Sequence, residues 1–499
     1  MSCHQKIFNV DFSSDEINTA MDKGQILSIE IEFNSVCNFK CPYCYSPNHT
    51  RRENELTLEE IKDVILQAKN LGARKIIILG GEPLLYTHVL DAVKFIHELG
   101  MEIEMFTNGA QLTDDLAEKL FLYGVNIVLK MNSFKEETQD LLTGVKGSFQ
   151  TIKRALDITK RAGYPSEDRY IAVSTIICKQ NIEELPKMWV WLREQNIIPY
   201  FEMLTPQGSF NNNEWLAVDV KQLQDLFEEI ADIDRKKYGY YWDPQPPLVG
   251  NKCFRHQYSS LITSVGDVLP CVGVTVSIGN IRNKSLKEIL GTSEIIEDLK
   301  NYKQTIKGPC TGCTQFDGCY GCRGAAYQLT GDYLASDPLC WKNKDKQDEI
   351  VKLPISAESI IPQKSPMRVI DSLDIVSDRK AEASVVISKD MFFVREDGVL
   401  ESAVYIEMIA QTIAAHNGFK KMGMDGFKPE GFLLGAKKVE IMGEARVGDK
   451  LNIVITKEAR FGNFAIVEGV ISKQGAVIAR GETKIWHNTQ EEQEKMVLA

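Results

Sequence analysis

No stretch of this 499-residue chain approaches the roughly 20 consecutive apolar residues that a membrane-spanning helix needs. The longest contenders, such as Lys75-Ile-Ile-Ile-Leu79, are of strand length. The start, Met1-Ser-Cys-His-Gln-Lys6, also lacks the apolar stretch of a secretory signal, so a cytoplasmic protein is expected. An excess of positive charge is missing too. With 58 Lys and Arg against 69 Asp and Glu, the formal charge is −11, which argues against nucleic acid and membrane surfaces and for small-molecule or protein partners. What the chain does have is twelve cysteines, which in a reducing compartment are better candidates for metal ligands than for a disulfide framework.

The length implies several domains, because a single core stops growing well below this size. From Leu27 to about Gly208, β-rich runs alternate with amphipathic helical stretches, the rhythm of a parallel sheet. Six strands are predicted: Leu27–Phe33, Lys75–Leu79, Glu102–Phe106, Asn126–Met131, Tyr170–Cys178 and Pro199–Leu204. Between them lie helices such as Thr57–Asn70, which opens on the capping box Thr57-Leu-Glu-Glu60. An α/β fold built on a partial (β/α)6 barrel over residues 27–245 fits best. The turn-rich break Trp242-Asp-Pro-Gln-Pro-Pro247 then introduces a cysteine-crowded region, residues 246–345. A connector at 346–360 leads to a region at 361–488 with one apolar helix, Ala403–His416. Strands follow around Gly431–Ile441, Lys450–Thr456, Ala465–Ser472 and Val477–Lys484. This reads as an α+β sheet wrapped on a helix. Residues 1–26 form an N-terminal segment and 489–499 a tail.

In barrels of this kind the reactive groups sit on the loops after the strands. After the first strand comes Cys37-x3-Cys41-x2-Cys44, three thiolates that can ligate only three irons of a cubane and would leave the fourth open. A structural zinc site would want four protein ligands, and His49 is the one nearby candidate for the fourth. Later loops carry Gly80-Gly-Glu-Pro83, Thr107-Asn-Gly109 and Lys130-Met-Asn-Ser133, each of which is also an ordinary turn. The second cysteine set comprises Cys253, Cys271, Cys310, Cys313, Cys319, Cys322 and Cys340. Cys310, Cys313, Cys319 and Cys322 alone could form a zinc ribbon. Cys3 is left unassigned, and Cys178, inside a predicted strand, reads as a buried filler.

The first loop with Gly81-Glu82 resembles the radical S-adenosylmethionine superfamily, and the second cysteine set resembles its SPASM extension with two auxiliary [4Fe–4S] clusters. The resemblance implies that Cys37, Cys41 and Cys44 hold a [4Fe–4S] cluster whose open iron binds S-adenosylmethionine. It also implies contacts to that cofactor from Tyr43, Gly81, Glu82, Asn108, Lys130 and Ser133, the Glu82 carboxylate accepting from the methionine ammonium. By the same pattern Cys310, Cys313, Cys319 and Cys340 belong to an outer cluster, and Cys253, Cys271 and Cys322 to an inner one short of a fourth cysteine. A reducing partner such as flavodoxin or ferredoxin is implied. Sulfatase-maturing members carry an acidic residue after the position of Cys271, where Val272 stands here, which speaks against that activity.

Ile361-Pro-Gln-Lys-Ser-Pro-Met367, Tyr405-Ile-Glu-Met-Ile-Ala-Gln411 and Gly431-Phe-Leu-Leu-Gly-Ala-Lys-Lys438 together resemble the hotdog-fold 3-hydroxyacyl-carrier-protein dehydratases. Glu407 matches their catalytic glutamate, but Gln363 stands where the histidine belongs, and an amide cannot serve as a base near neutral pH. His416 is expected to be structural. The region is expected to bind an acyl or pantetheine group and to form a homodimer. Two substrate classes follow, a peptide or protein to be oxidised or crosslinked and a carrier-protein-bound acyl group. The base rate of SPASM enzymes favours the first, although the segment before Leu27 is short for a peptide-recognition domain. A non-catalytic metal-stabilised scaffold is the contrasting reading.

Overall fold

The computed structural model describes residues 12–46, 50–376, 380–420, 422, 431–461 and 463–487. Cys3, His49 and the expected tail at 489–499 lie outside the described residues. The chain divides into two compact units, Met1–Leu329 with Ser336–Gln347, and Thr330–Ala335 with Asp348–Ala499.

In the first unit six parallel strands, β1 (Ser28–Glu32), β2 (Lys75–Leu79), β3 (Glu102–Thr107), β4 (Val125–Lys130), β5 (Ile171–Ile177) and β6 (Ile198–Met203), lie side by side in chain order. Each falls within a residue or two of its predicted bounds. Strand alternation sorts their side chains. Ile29, Ile31, Ile76, Ile78, Ile103, Met105, Ile127, Leu129, Val173 and Phe201 join the core with the surrounding helices. The opposite parity, Glu30, Glu32, Glu104, Lys130, Ser174 and Glu202, therefore faces inward. The capping box predicted at Thr57 is present, and its helix Leu58–Asn70 buries Ile61, Val64, Ile65 and Ala68.

The segment after the proline-rich break crosses from one edge of this sheet to the other. Met203 N donates to Pro247 O and Val249 N to Phe201 O, so residues 247–249 run along β6. β7 (Leu261–Ile262) then pairs parallel with β1, followed by antiparallel β8 (Asp267–Leu269) and β9 (Gly279–Asn280). Cys253 and Arg255 ride on the crossing between those two edges.

The second unit is a seven-stranded antiparallel sheet around the helix Val404–Lys420. In sheet order it runs β10 (Ile355–Ser356), β11 (Ser372–Val376), β12 (Lys380–Val386), β14 (Lys450–Phe461), β15 (Phe464–Lys473), β16 (Ala476–His487) and β13 (Gly431–Ile441). The connector expected at 346–360 ends early, because Ile355–Ser356 pairs with β11 and Ala357 and Ile360 are buried in this unit's core.

Candidate active site

The cysteine loop after β1 is held by backbone on three sides. Gly81 N donates to Asn34 O and Glu82 N to Val36 O; Lys40 N donates to Thr143 O; Ser209 N donates to Cys44 O. The approach at Gly81 is so close that a Cβ there would lie 2.2 Å from Val36 O, and one at Gly208 would lie 2.4 Å from Cys44 O. Glycine is required at both positions for want of room. Inside this frame Cys37, Cys41 and Cys44 act electrostatically on one another. Burial pushes the Cys37 thiol up to about 11 and that of Cys41 to about 12. Such thiols ionise only when a cation compensates them, which is what an iron cluster provides. Phe39 N already points at Cys37 Sγ, 3.4 Å away, as a donor for the thiolate.

The predicted cofactor contacts fall into three kinds. Tyr43 and Lys130 sit together at the mouth of the barrel: the Lys130 ammonium is 5.6 Å from the Tyr43 ring centre, donates to Ser174 Oγ at 2.9 Å and lies 3.9 Å from Glu202. Asn108 reaches the cluster loop, its side-chain amide donating to Asn38 Oδ1 at 2.7 Å and lying 3.9 Å from Cys37 Sγ. Glu82 and Ser133 are turned inward instead. The Glu82 carboxylate accepts from Thr107 Oγ1, Asn108 N and Leu84 N, and Ser133 donates to Glu184. The Glu82 carboxylate thus braces the loops after β2 and β3, with burial holding it above the usual carboxylate range. Asn132, which the sequence reading passed over between Lys130 and Ser133, donates to Tyr43 Oη at 2.7 Å and accepts from Ile176 N.

The inward face of the barrel is a file of charges. At one end the Lys75 ammonium meets Glu104 at 2.7 Å with Tyr170 beside it, both ions 1% exposed. Arg255 reaches in from the crossing segment to Glu30, and Glu202 accepts from Tyr200 Oη at 3.2 Å. Cys253 packs in the same apolar patch as Phe106 and Tyr200. Cys253 of the second cysteine set thus packs against residues of β3 and β6.

That second set separates into two groups. Cys253, Cys271 and Cys322 act on one another's thiols. Cys310, Cys319 and Cys340 do likewise, and with Cys313 they line one cavity. The zinc-ribbon alternative is not assembled, since Cys322 stands with Cys253 and Cys271 while Cys340 completes the cavity. Among the described residues no three His, Cys, Asp or Glu side chains close on a single-ion site; a cubane, with its thiolates on separate irons, takes a wider set. Donors already point at the sulfurs: Gly321 N to Cys319, Ala325 N to Cys322, Val274 N to Cys271 and the Asn343 amide to Cys310, all at 3.3–3.4 Å. These groups fit iron–sulfur clusters, whose sulfur ligands are stabilised by such bonds. Cys178 is fully buried in a small apolar cluster, a filler as expected.

In the second unit Glu407 accepts from Gln411 Nε2 at 2.9 Å, and the same amide nitrogen donates to Met367 O while Val369 N donates to Gln411 Oε1. Gln411 thereby clips the 367–369 segment to the central helix beside Glu407. Gln363 Oε1 is buried without a hydrogen-bond partner among the described residues. His416 is wholly buried in the helix, as a structural residue would be.

Comparison with known proteins follows the same divisions. Residues 31–191 match the Radical SAM superfamily, 253–314 an iron–sulfur cluster-binding (SPASM) domain and 355–497 the ApeP dehydratase family. The chain is 27% identical over 342 residues to an AdoMet-dependent heme synthase of Methanosarcina barkeri, covering 62% of this chain and 94% of the relative. It is 29% identical over 333 residues to a PqqA peptide cyclase of Streptomyces rochei, covering 62% and 88%. SuiB of Streptococcus suis, bound to S-adenosylmethionine, shares the fold with a TM-score of 0.51 at 17% identity over 66% of this chain and 84% of that one. The barrel and cysteine region are those of a radical S-adenosylmethionine enzyme, joined to a hotdog domain of the dehydratase kind.

Proposed function

We propose that the chain oxidises or crosslinks a peptide or protein substrate held in the barrel between the first cysteine loop and the Cys253 group. In this reading Cys37, Cys41 and Cys44 hold one [4Fe–4S] cluster, Cys310, Cys313, Cys319 and Cys340 an outer auxiliary cluster, and Cys253, Cys271 and Cys322 an inner one. When bound, the first cluster and S-adenosylmethionine supply a 5′-deoxyadenosyl radical that takes a hydrogen atom from the substrate. The protein's part is to fix one C–H bond against that radical and keep water out. Tyr43, Asn108 and Lys130 would position the cofactor, with Gly81 giving it backbone access.

The observation that carries the substrate class is the pairing of charges inside the barrel. Lys75, Lys130 and Arg255 each face a carboxylate, Glu104, Glu202 and Glu30. A porphyrin-like polycarboxylate, which the heme synthase among the relatives suggests, would need cations to spare. A peptide, whose amides only exchange hydrogen bonds, suits matched pairs better, in line with the peptide cyclase. The test is anaerobic reconstitution with iron and sulfide, dithionite reduction and addition of S-adenosylmethionine with a deuterated candidate peptide. Deuterium appearing in 5′-deoxyadenosine is expected, and its appearance only from a thioester-bound acyl group would reassign the substrate. No 5′-deoxyadenosine despite full cluster content would leave the scaffold reading. The electron donor would be of the flavodoxin or ferredoxin class, and the cytoplasm is the compartment that suits it.

For the hotdog domain the reading is a thioester-binding and dimerising module. β13 is an edge strand with Leu433, Leu434, Val439 and Ile441 exposed, an edge that a second copy could pair with and cover. With Gln363 in the base position, crotonyl and 3-hydroxyacyl thioesters are expected not to interconvert on the wild-type chain. Measurable hydration of a crotonyl thioester would refute this.

A further inference from the structure

Between the two groups of SPASM cysteines lies a buried pair of opposite charges that the proposed reaction does not use. Asp337 is fully buried. Its Oδ2 accepts from Cys322 N at 2.7 Å and its Oδ1 from Leu339 N at 2.9 Å. Its backbone carbonyl accepts from Cys340 N and from the Asn343 amide, which also donates to Cys310 Sγ. One residue is thus tied to Cys322 on one side and to Cys340 and Cys310 on the other. Arg323, 1% exposed, follows Cys322 directly and opens the helix Arg323–Thr330. A Cβ built on Gly321 would lie 3.1 Å from the Arg323 guanidinium and 3.2 Å from Asp337 Oδ2, so both charged ends sit over the short link between Cys319 and Cys322. The guanidinium is 6.0 Å from the Tyr320 ring centre, and Tyr320 Oη shares a 3.0 Å hydrogen bond with His256 Nδ1. Burial, with the charges of Arg323 and Arg255, pushes the His256 imidazole down to about 3, so it stays neutral and adds no charge of its own.

A cluster that accepts an electron becomes more negative by one charge. A fixed cation at short range in a dry interior stabilises that reduced form and raises the potential, and its effect dies away over a few tens of ångströms at most. Electrostatics already reach the ligands here, since Asp337 raises the Cys319 thiol and the Arg323 charge, acting the other way, lowers it.

We propose that Arg323, buried near Asp337, sets the reduction potential of the auxiliary cluster carried by Cys310, Cys313, Cys319 and Cys340. Arg323 touches no substrate; it is a positioning residue for charge. The inference rests on the assignment of those four cysteines to one cluster, and the experiment separates the two. The full chain, reconstituted anaerobically, is analysed for iron and sulfide and then titrated potentiometrically with EPR detection, as wild type, Arg323→Lys and Arg323→Gln. With cluster content retained, Arg323→Gln is expected to shift an auxiliary signal to more negative potential. Arg323→Lys is expected to stay near the wild-type value, and the signal of the Cys37, Cys41 and Cys44 cluster to be unmoved in all three. An unshifted auxiliary midpoint in Arg323→Gln at full iron content overturns the role of Arg323. If Arg323→Gln loses iron, Arg323→Met, of similar volume, replaces it. Loss of auxiliary iron in both neutral variants, with Arg323→Lys intact, makes the role structural and also overturns the proposal. Wild-type chain lacking the auxiliary iron would instead overturn the cluster assignment.

Discussion

In the first unit each group of cysteines comes with backbone or side-chain donors aimed at its sulfurs. In the second unit the helix, the sheet and Glu407 are in place, yet Glu407 accepts from Gln411, and an amide, Gln363, stands at the position that resemblance gives to the histidine. The same chain therefore keeps the residues that the radical S-adenosylmethionine resemblance asks of its first loop on one scaffold and lacks the histidine that the dehydratase resemblance asks of the other. The difference teaches that fold likeness and chemical competence are separate properties, and that the second has to be read residue by residue. A hotdog without its histidine can still bind, because a pocket needs shape and a few hydrogen bonds, whereas removal of water needs a group that takes a proton.

The strongest way to break this comparison is to remove one thiolate from the first unit. Cys41→Ala takes away a proposed iron ligand buried in the frame of Val36, Thr143 and Ser209 contacts. Formation of 5′-deoxyadenosine from S-adenosylmethionine is expected to fall to background, while the far-ultraviolet circular dichroism stays that of a folded chain. Retained turnover would mean that the active cluster is held elsewhere.

The next largest effect concerns stability. Lys75 and Glu104 are both 1% exposed, and removing the lysine leaves a carboxylate buried with Tyr170 as its near partner. Breaking such a pair costs about 3–5 kcal/mol. Lys75→Met is expected to lower the unfolding free energy of the first unit, read from its denaturant midpoint and slope, by that amount and to leave any separate transition of the second unit where it was. A common shift of both would show that the two units unfold as one.

Much of this arrangement was legible in the sequence, and what was not has a common cause. The six barrel strands were found because their apolar residues repeat with a period of two between capped helices, as in Ser28-Ile-Glu-Ile-Glu32. The split of seven cysteines into a group of four and a group of three is implied by resemblance; in the structure Cys310, Cys313, Cys319 and Cys340 line one cavity, and Cys253 and Cys271 act on the Cys322 thiol. Missed were the residues whose role depends on register between distant segments. Lys75 read as the start of a buried strand, and nothing local shows that Glu104 and Tyr170 stand beside it. Arg255 became visible only once the segment after the proline-rich break was seen to cross from β6 to β1. Gly208 looked like a barrel-terminal glycine, yet its lack of a side chain makes room for Cys44 O. The strands β11 and β12 went unpredicted because Asp374, Lys380 and Glu382 interrupt their apolar pattern. Glu82 adds a role that the sequence does not show: its carboxylate accepts from Thr107, Asn108 and Leu84 and so ties the loops after β2 and β3 together.

A gain of function would break the comparison from the other side. Glu407 is already oriented by Gln411, so the missing histidine is the difference at that site which the sequence makes plain. Gln363→His is expected to raise hydration of a crotonyl thioester by about 10²-fold over the wild-type background, the lower end of what a positioned base contributes. No gain in a folded variant would place the defect in the thioester pocket as well.

The smallest effect sharpens the comparison by testing how the first unit keeps its cysteine region docked on the barrel. Arg282, beyond β9, forms a forked pair with Glu60 at 2.6 and 3.0 Å and donates to Asn54 O, so it fastens that region to the first turn of the helix Leu58–Asn70. Glu60 is also half of the Thr57 capping box. Hydrogen bonds from Arg282, then from Thr57, hold its carboxyl at about 2, below the usual 4.5. A carboxyl whose folded value is depressed contributes stability above its unfolded value and loses it as the pH falls through the folded one. The contribution is therefore complete above about pH 4.5 and gone near pH 2. Both partners are about one third exposed, so screening by solvent limits the pair to about 1 kcal/mol. Glu60→Gln is expected to lower the stability of the first unit by that amount at neutral pH and to leave it indistinguishable from wild type near pH 2. The second unit should not respond at either pH, and a loss of equal size at both would mean that Glu60 acts through packing rather than charge.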